Sequence, residues 1–263
     1  MNENSKAIII LCSHICSGEN INPLEPKEWS KLVKLMLENN IEPFQLLSLN
    51  EEIISKLQLD IKTILRITNL VKRSASITFE INKYENMGIK IVTRADSNYP
   101  SIIKKKLKND SPPILYYCGN LEILNKELIG FVGSRTIDDK DKKTVEKLVK
   151  NVINYGYGIV SGGAKGIDEI SSKYALEHGG YVVEFLADSI LKKIKNKTVM
   201  KNIRENKLLI CSLMKPDAGF NVGIAMMRNK YIYTSSIGTV VIKTDLKKGG
   251  TWAGATENIR KKY

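Results

Sequence analysis

Residues 157–168 read YGIVSGGAKGID and join two different sequence patterns. The apolar run Gly158–Val160 predicts a buried strand, whereas Ile167–His178 has apolar residues at helical spacing. Three glycines, a small residue and Lys165 stand between these two segments. Glycine lets the backbone approach an anion closely, and the free N–H groups at a helix start point towards it. The stretch therefore predicts a strand–loop–helix unit that holds a phosphate.

The same alternation of strand and helix continues through residues 128–262. Strands are predicted at Leu128–Val132, Gly158–Val160, Tyr181–Phe185, Leu208–Cys211 and Gly238–Ile242. Helices are predicted at 138–154, 167–178, 222–233 and 253–262, with a lysine-rich helical region at 188–205. Strands that alternate with helices indicate βαβ units and a parallel sheet covered on both faces. The predicted fold is α/β, with a Rossmann-like, doubly wound and mostly parallel sheet.

A helical pattern without visible chemistry precedes the sheet. Helices are predicted at about 26–39, at 43–47, from Asn50 onwards and in one long run from Asp60 to about Met87. We predict a small all-helical N-terminal domain at 1–87, with a structural or protein-contact role, and an extended Rossmann-like domain at 88–263. Short β runs at Ile89–Val92 and Ile114–Tyr117 open the second domain.

Charge is unevenly distributed along the 263 residues, which carry a net charge of +13. Residues 1–120 hold 16 basic and 13 acidic residues, whereas residues 121–263 hold 25 and 15. A basic domain attracts polyanions through the summed field of its surface. A lysine-rich solvated surface would give the same balance, so charge alone leaves both interpretations open.

The four cysteines indicate a reduced compartment. Only Cys12 and Cys16 lie close together in the sequence, in an apolar stretch, and zinc would need four well-spaced ligands. We predict buried free thiols, no metal and a cytoplasmic location. The apolar segment Ala7–Cys12 is far shorter than the roughly 20 residues that span a bilayer, so no membrane partner is expected.

Four polar clusters fall at the predicted carboxyl edge of the sheet, where ligands bind in such folds. Their members are Gly133, Ser134 and Arg135; Ser161, Gly162, Gly163, Ala164, Lys165 and Gly166; Arg228, Asn229 and Lys230; and Lys248, Gly250 and Thr251. Hydroxyl donors and full positive charges that converge on one edge suit an elongated anion better than a single phosphate.

Signs of catalysis or of a standard nucleotide site are weak. The chain has no G-x-x-x-x-G-K-[ST] string, and its first strand–helix turn lacks G-x-G-x-x-G. Asp168, in the first turn of its helix, is expected to brace the glycine loop. Glu257 is the one carboxylate that we would test as a catalyst. We therefore expect a binding protein without cofactor, although an enzyme stays open.

Several of these stretches together resemble the DNA-processing protein A (DprA/Smf) family. The matching stretches are DSNYP (96–100), PPILYYCG (112–119), FVGSR (131–135), YG (155–156), IVSGGAKGID (159–168) and RNK (228–230), where Lys230 replaces the family's second arginine. The resemblance covers roughly residues 88–262. It implies an extended Rossmann fold that binds single-stranded DNA without known catalysis. It also implies a homodimer that loads a RecA-type recombinase during natural transformation.

The same resemblance assigns phosphate contacts, with little readout of base sequence, to members of the first three clusters. These residues are Gly133, Ser134, Arg135, Gly162, Gly163, Lys165, Gly166, Arg228, Asn229 and Lys230. Leu186–Ile190 and the string GGTWAGATE at 249–257 depart from the family pattern, and the chain ends before a further strand, so it reads as a divergent or trimmed member. One alternative is a LOG-like nucleoside monophosphate hydrolase, because Gly249, Gly250, Thr251 and Glu257 loosely match its signature. A nucleotide-sensing module is the other.

Overall fold

The computed structural model describes residues 1–17 and 22–263. Contacts between Cα atoms group them into two compact units. Unit 1 comprises Met1–Tyr99 and Lys108–Tyr116, and unit 2 comprises Pro100–Leu107 and Tyr117–Tyr263. The domain boundary expected after residue 87 stays a prediction. Among the described residues, every helix is too short or too polar to cross a bilayer.

Unit 1 consists mainly of helices, as the sequence predicts. They are α1 (Glu3–Cys12), α2 (Pro26–Glu38), a 3₁₀ turn (Pro43–Leu47), α3 (Glu51–Lys56), α4 (Ile61–Val71) and α5 (Ser74–Asn86), followed by strand β1 (Ile89–Thr93) and a 3₁₀ turn (Lys108–Asp110). Side chains of Asn2, Asn50 and Asp60 accept backbone hydrogen bonds at the starts of α1, α3 and α4. Such caps satisfy donors that a helix start leaves open.

The single helix expected from Asp60 to Met87 was wrong, because the chain breaks between α4 and α5. Arg73 occupies the break with its side chain buried. Its guanidinium donates to the carbonyls of Ile10, Ser13 and Ile15, at distances of 2.6, 2.9 and 3.0 Å. These carbonyls at and beyond the end of α1 lack helical partners, so a tertiary contact overrides the helical periodicity here.

Unit 2 contains five parallel strands. They are β3 (Leu128–Gly133), β4 (Gly158–Ser161), β5 (Val182–Leu186), β6 (Leu208–Ser212) and β7 (Gly238–Ile242), which follow β2 (Ile114–Cys118) in the chain. Their order in the sheet is β6-β5-β4-β3-β7. Gly130, for example, pairs with Val160 of β4 on one side and with Thr239 of β7 on the other. The predicted Rossmann-like parallel sheet is confirmed.

The helices of unit 2 cover both faces of this sheet. They are α6 (Ser101–Leu107), α7 (Asp139–Asn154), α8 (Ile167–Glu177), α9 (Ile190–Lys193), α10 (Lys197–Arg204), α11 (Val222–Ser235) and α12 (Gly249–Lys261). α7 packs on α8, whereas α11 packs on α6 and α12. The chain passes from β3 through β4 and β5 to β6, and then returns across the sheet to β7. Because parallel strands are joined by right-handed crossovers, the helices of the outward and the return connections lie on opposite faces of the sheet. The carboxyl ends of β3 and β7 therefore flank the point where the strand order reverses, which is where ligands bind in such sheets.

Two details of the sequence prediction were wrong. The last helix begins at Gly249 rather than at Ala253, because the first helical turn makes few intrahelical hydrogen bonds and tolerates glycine. The four cysteines are thiols as expected, but only Cys12, Cys118 and Cys211 are buried. Cys16 is exposed in the turn after α1, where its φ is +53°.

Candidate nucleic-acid interface

The loops that follow β3 and β4 lie against each other at the carboxyl edge of the sheet. The backbone N–H of Ile167, at the start of α8, donates to the carbonyl of Ser134 at 3.1 Å. Gly166 has a φ of +87°, and a Cβ there would lie 2.3 Å from the same carbonyl oxygen. Glycine is therefore required at this contact. The first two sequence clusters form one continuous surface.

The other two clusters join the same edge. The Thr251 hydroxyl donates to the carbonyl of Gly133 at 3.1 Å, and the Asn229 side-chain amide donates to the carbonyl of Gly250 at 3.5 Å. Lys248 is exposed just before α12. The Lys230 ammonium lies 5.0 Å from the centre of the Tyr231 ring. Thus members of all four predicted clusters are brought together, whereas the contact of Lys230 is with Tyr231 of its own helix.

Two cations and an aromatic ring are exposed on this surface. Arg135 and Lys165 are exposed on the loops after β3 and β4. The guanidinium carbon of Arg135 lies 5.3 Å from the centre of the Phe220 ring, which is 53% exposed. Phe220 was not among the site residues predicted from the sequence. An aromatic residue in the turn-rich segment before α11 was the available signal.

The hydroxyls of the two predicted serines are already engaged. The Ser161 hydroxyl is buried and donates to the carbonyl of Phe131 at 2.8 Å. The Ser134 hydroxyl donates to the carbonyl of Thr136 at 2.9 Å. Both stabilise the loops locally, so the charged side chains and the remaining backbone amides are the groups that face a ligand.

Asp168 braces the glycine loop, as the sequence predicts. The backbone amides of Ala164 and Gly162 lie near its buried carboxylate and act to lower its pKa. Burial raises the pKa of this carboxyl to about 6, although the Arg228 guanidinium and the two amides act in the opposite direction. Desolvation therefore outweighs the favourable partners. The carboxylate of Asp168 therefore competes with an external anion for the amides of Gly162 and Ala164.

Arg228 is buried beside this loop, whereas the sequence led us to expect an exposed phosphate contact. Its side chain is almost fully enclosed, and its Nη1 lies 3.7 Å from the Asp168 carboxylate. Burial lowers the pKa of the guanidinium from its ordinary value. Nε and Nη1 have no hydrogen-bond partner among the described residues. A Cβ on Gly162 would lie 1.4 Å from Nη1, so the guanidinium occupies the space that this glycine leaves.

Glu184 is a further buried charge that the sequence analysis missed. It lies in β5, and its carboxylate forms an ion pair with the Lys193 ammonium at 2.8 Å. A Cβ on Gly163 would lie 2.9 Å from the same carboxylate oxygen. A single charged residue inside the apolar strand Val182–Leu186 was the signal that could have revealed it.

Glu257, the candidate catalyst of the alternative hypothesis, lies half-buried on α12. One of its carboxylate oxygens accepts a hydrogen bond from the Tyr263 hydroxyl at 2.9 Å. The neighbouring Tyr233 hydroxyl is buried, and this desolvation raises its pKa to about 12. Among the described residues, no three His, Cys, Asp or Glu side chains come close enough to hold a metal ion.

A family model named DNA recombination-mediator protein A matches residues 90–261. The chain belongs to the DNA recombination-mediator protein A family. The match includes β1 except its first residue, the whole parallel sheet and all of α12, and therefore every residue of the candidate interface. Unit 1 lies mostly outside it.

Two curated relatives that are similar to the chain in sequence are both called DNA processing protein DprA. The chain is 27% identical over 169 residues to DNA processing protein DprA of Bacillus subtilis, covering 63% of this chain and 56% of the relative. It is 37% identical over 81 residues to DNA processing protein DprA of Streptococcus pneumoniae, covering 31% of this chain and 28% of the relative. The chain thus spans about half or less of the length of these relatives.

Solved structures share the fold. The crystal structure of DNA processing protein A from Streptococcus pneumoniae superposes with a TM-score of 0.67 at 21% identity, covering 91% of this chain and 84% of that one. DNA processing protein A from Helicobacter pylori, whose structure was described for its mode of binding single-stranded DNA, superposes with a TM-score of 0.52 at 24% identity. It covers 66% of this chain and 77% of that one.

Proposed function

We propose that this chain binds single-stranded DNA along the carboxyl edge of the sheet in unit 2. Arg135 and Lys165 contact backbone phosphates, and the backbone amides of the glycine loop that Asp168 does not occupy add further donors. Such contacts hold a strand without reading its sequence. Lys248 and the backbone amide of Thr251, in the first turn of α12, extend the same edge and are proposed as additional contacts together with Lys230 of α11.

The exposed pair of Arg135 and Phe220 carries this proposal. A protein that binds single strands combines cations that follow the phosphates with aromatic rings on which bases stack. The structure offers a guanidinium and an exposed ring side by side at the edge where ligands bind. The DNA-binding relative from Helicobacter pylori, which shares this fold, supports the same assignment.

Fluorescence anisotropy with a labelled oligo-dT tests the proposal against the alternatives. Unlabelled oligo-dT should compete strongly, and duplex DNA and nucleoside monophosphates only weakly. Arg135→Ala and Lys165→Ala should weaken binding to all single-strand sequences alike. Lys150→Ala is the matched control, because Lys150 is an exposed lysine near the end of α7 that lies far from the edge. Competition by monophosphates at equal concentration would favour the nucleotide-sensing alternative instead.

The finer roles rest on the family resemblance. We propose a cytoplasmic protein without catalytic activity, acting as a homodimer that hands single-stranded DNA to a RecA-type recombinase in DNA processing or natural transformation. Size-exclusion chromatography with light scattering tests the dimer, and a strand-exchange assay with a recombinase tests the loading step. A monomer that has no effect on strand exchange would contradict this part while leaving DNA binding intact.

A further inference from the structure

The glycine loop after β4 rests on three buried charged side chains. Arg228 fills the space beside Gly162, Glu184 lies against Gly163, and Asp168 lies near the amides of Gly162 and Ala164. Each of these three residues is more than nine-tenths buried. They come from α11, β5 and α8, so three separate elements converge on one short loop.

The position of the Arg228 guanidinium argues against a direct contact with DNA. Only 4% of the residue is exposed, and its Nη1 lies beside Gly162 and 3.7 Å from the Asp168 carboxylate. The exposed Arg135 is close enough to contribute, by repulsion, to the lowered pKa of Arg228. Arg135 already provides an exposed guanidinium at this edge.

We propose that Arg228 is a positioning residue: its guanidinium, packed against Gly162 and paired with Asp168, sets the shape of the loop that presents Lys165 to the strand. The DNA part of this inference rests on the proposed function. A planar guanidinium suits a space left by a missing Cβ, and a lysine ammonium on a flexible stem does not reproduce it.

Salt dependence separates positioning from direct contact. Each phosphate contact on a single strand adds about 0.7 to the slope of log affinity against log salt. Arg135→Ala should therefore reduce the slope by about that amount. Arg228→Ala should weaken binding by about tenfold or more at every salt concentration, with the slope kept. Arg228→Lys should behave like Arg228→Ala. A slope reduced as in Arg135→Ala, or rescue by lysine, would overturn the inference.

Gly162→Ala provides a second variant that keeps all three charges. The new Cβ would collide with Nη1 of Arg228, so this variant should weaken DNA binding in the wild-type background. In the Arg228→Ala background the collision is gone, and Gly162→Ala should then cause no further loss. Equal losses in both backgrounds would show that Arg228 does not act through Gly162.

Hydrogen exchange gives a readout that does not depend on DNA. In the free protein, Arg228→Ala and Gly162→Ala should speed exchange of the Gly162 and Ala164 amides by about tenfold or more, while peptides from α7 stay unchanged. Unchanged loop exchange in either variant would refute the positioning role even if DNA binds. If the wild-type protein binds no DNA but loop exchange changes as expected, the proposed function fails and the positioning role survives.

Discussion

Replacing Asp168 by asparagine removes a buried titration from the candidate interface, and the effect on stability has a definite sign. The folded protein raises the pKa of this carboxyl from 3.8 to about 6. Folding therefore favours the protonated form, so between these two values the folded state binds a proton that the unfolded state has lost. Stability from this group is fully present below about pH 4 and is lost as pH rises through about 6.

The size of the effect follows from the shift. A difference of roughly two pKa units corresponds to about 3 kcal/mol. Urea unfolding of the full chain and of Asp168→Asn, at pH values from 4 to 8, gives the free energy of unfolding of each. The wild-type value minus the Asp168→Asn value should fall by about 2–3 kcal/mol between pH 4 and 7, because the unfolded chain has already lost part of this proton at pH 4. A change in the free energy of unfolding that comes from altered hydrogen bonding in Asp168→Asn, and that does not depend on pH, leaves this fall with pH unchanged.

A difference that rises with pH would refute the reasoning. It would mean that Arg228 and the amides of Gly162 and Ala164 stabilise the carboxylate more than burial destabilises it. A flat difference would mean that the favourable partners cancel the effect of desolvation, so that the carboxyl has the same pKa in the folded and unfolded states. Glu169→Gln is the matched control, because Glu169 is an exposed carboxylate in the same helical turn.

Three further predictions test individual residues. Gly166→Ala should destabilise the protein by about 1–3 kcal/mol, measured by urea unfolding, because of its positive φ and the close Ser134 carbonyl; unchanged stability would contradict the loop geometry. Phe220→Ala should weaken oligo-dT binding by about 1–3 kcal/mol in anisotropy titrations, whereas Phe220→Trp should retain it, and equal loss in both variants would exclude stacking. Neither the wild-type protein nor Glu257→Gln should release free base from AMP in a chromatographic assay; release by the wild type that Glu257→Gln abolishes would establish the hydrolase alternative.

The sequence predicts most of the fold because its periodic patterns are local. YGIVSGGAKGID contains a strand, a loop and a helix start within twelve residues, and β4, the loop and α8 follow it closely. The break at Arg73 was not predictable, because its cause is a contact with carbonyls about 60 residues earlier in the chain. The start of α12 at Gly249 was missed since glycine usually ends helices rather than beginning them.

The candidate site was predicted in its location but not in its internal arrangement. Glycines and cations mark where a ligand would approach, and the strand order then brings their loops together. Nothing in the sequence distinguishes the buried Arg228 from the exposed Arg135, because an arginine on a helix can face either way. Glu184 could have been identified from the sequence, since a carboxylate in a buried strand is rare and requires a partner of opposite charge.

The most direct test of the account is the affinity of the wild-type protein for an oligo-dT strand across a salt series. We predict binding at low salt, with log affinity falling linearly against log salt concentration. The slope should have a magnitude of about 0.7 for each phosphate contacted, and it should correspond to at least two contacts, from Arg135 and Lys165. No binding at low ionic strength, or binding that does not change with salt, would contradict the claim that this edge holds the phosphates of a single DNA strand.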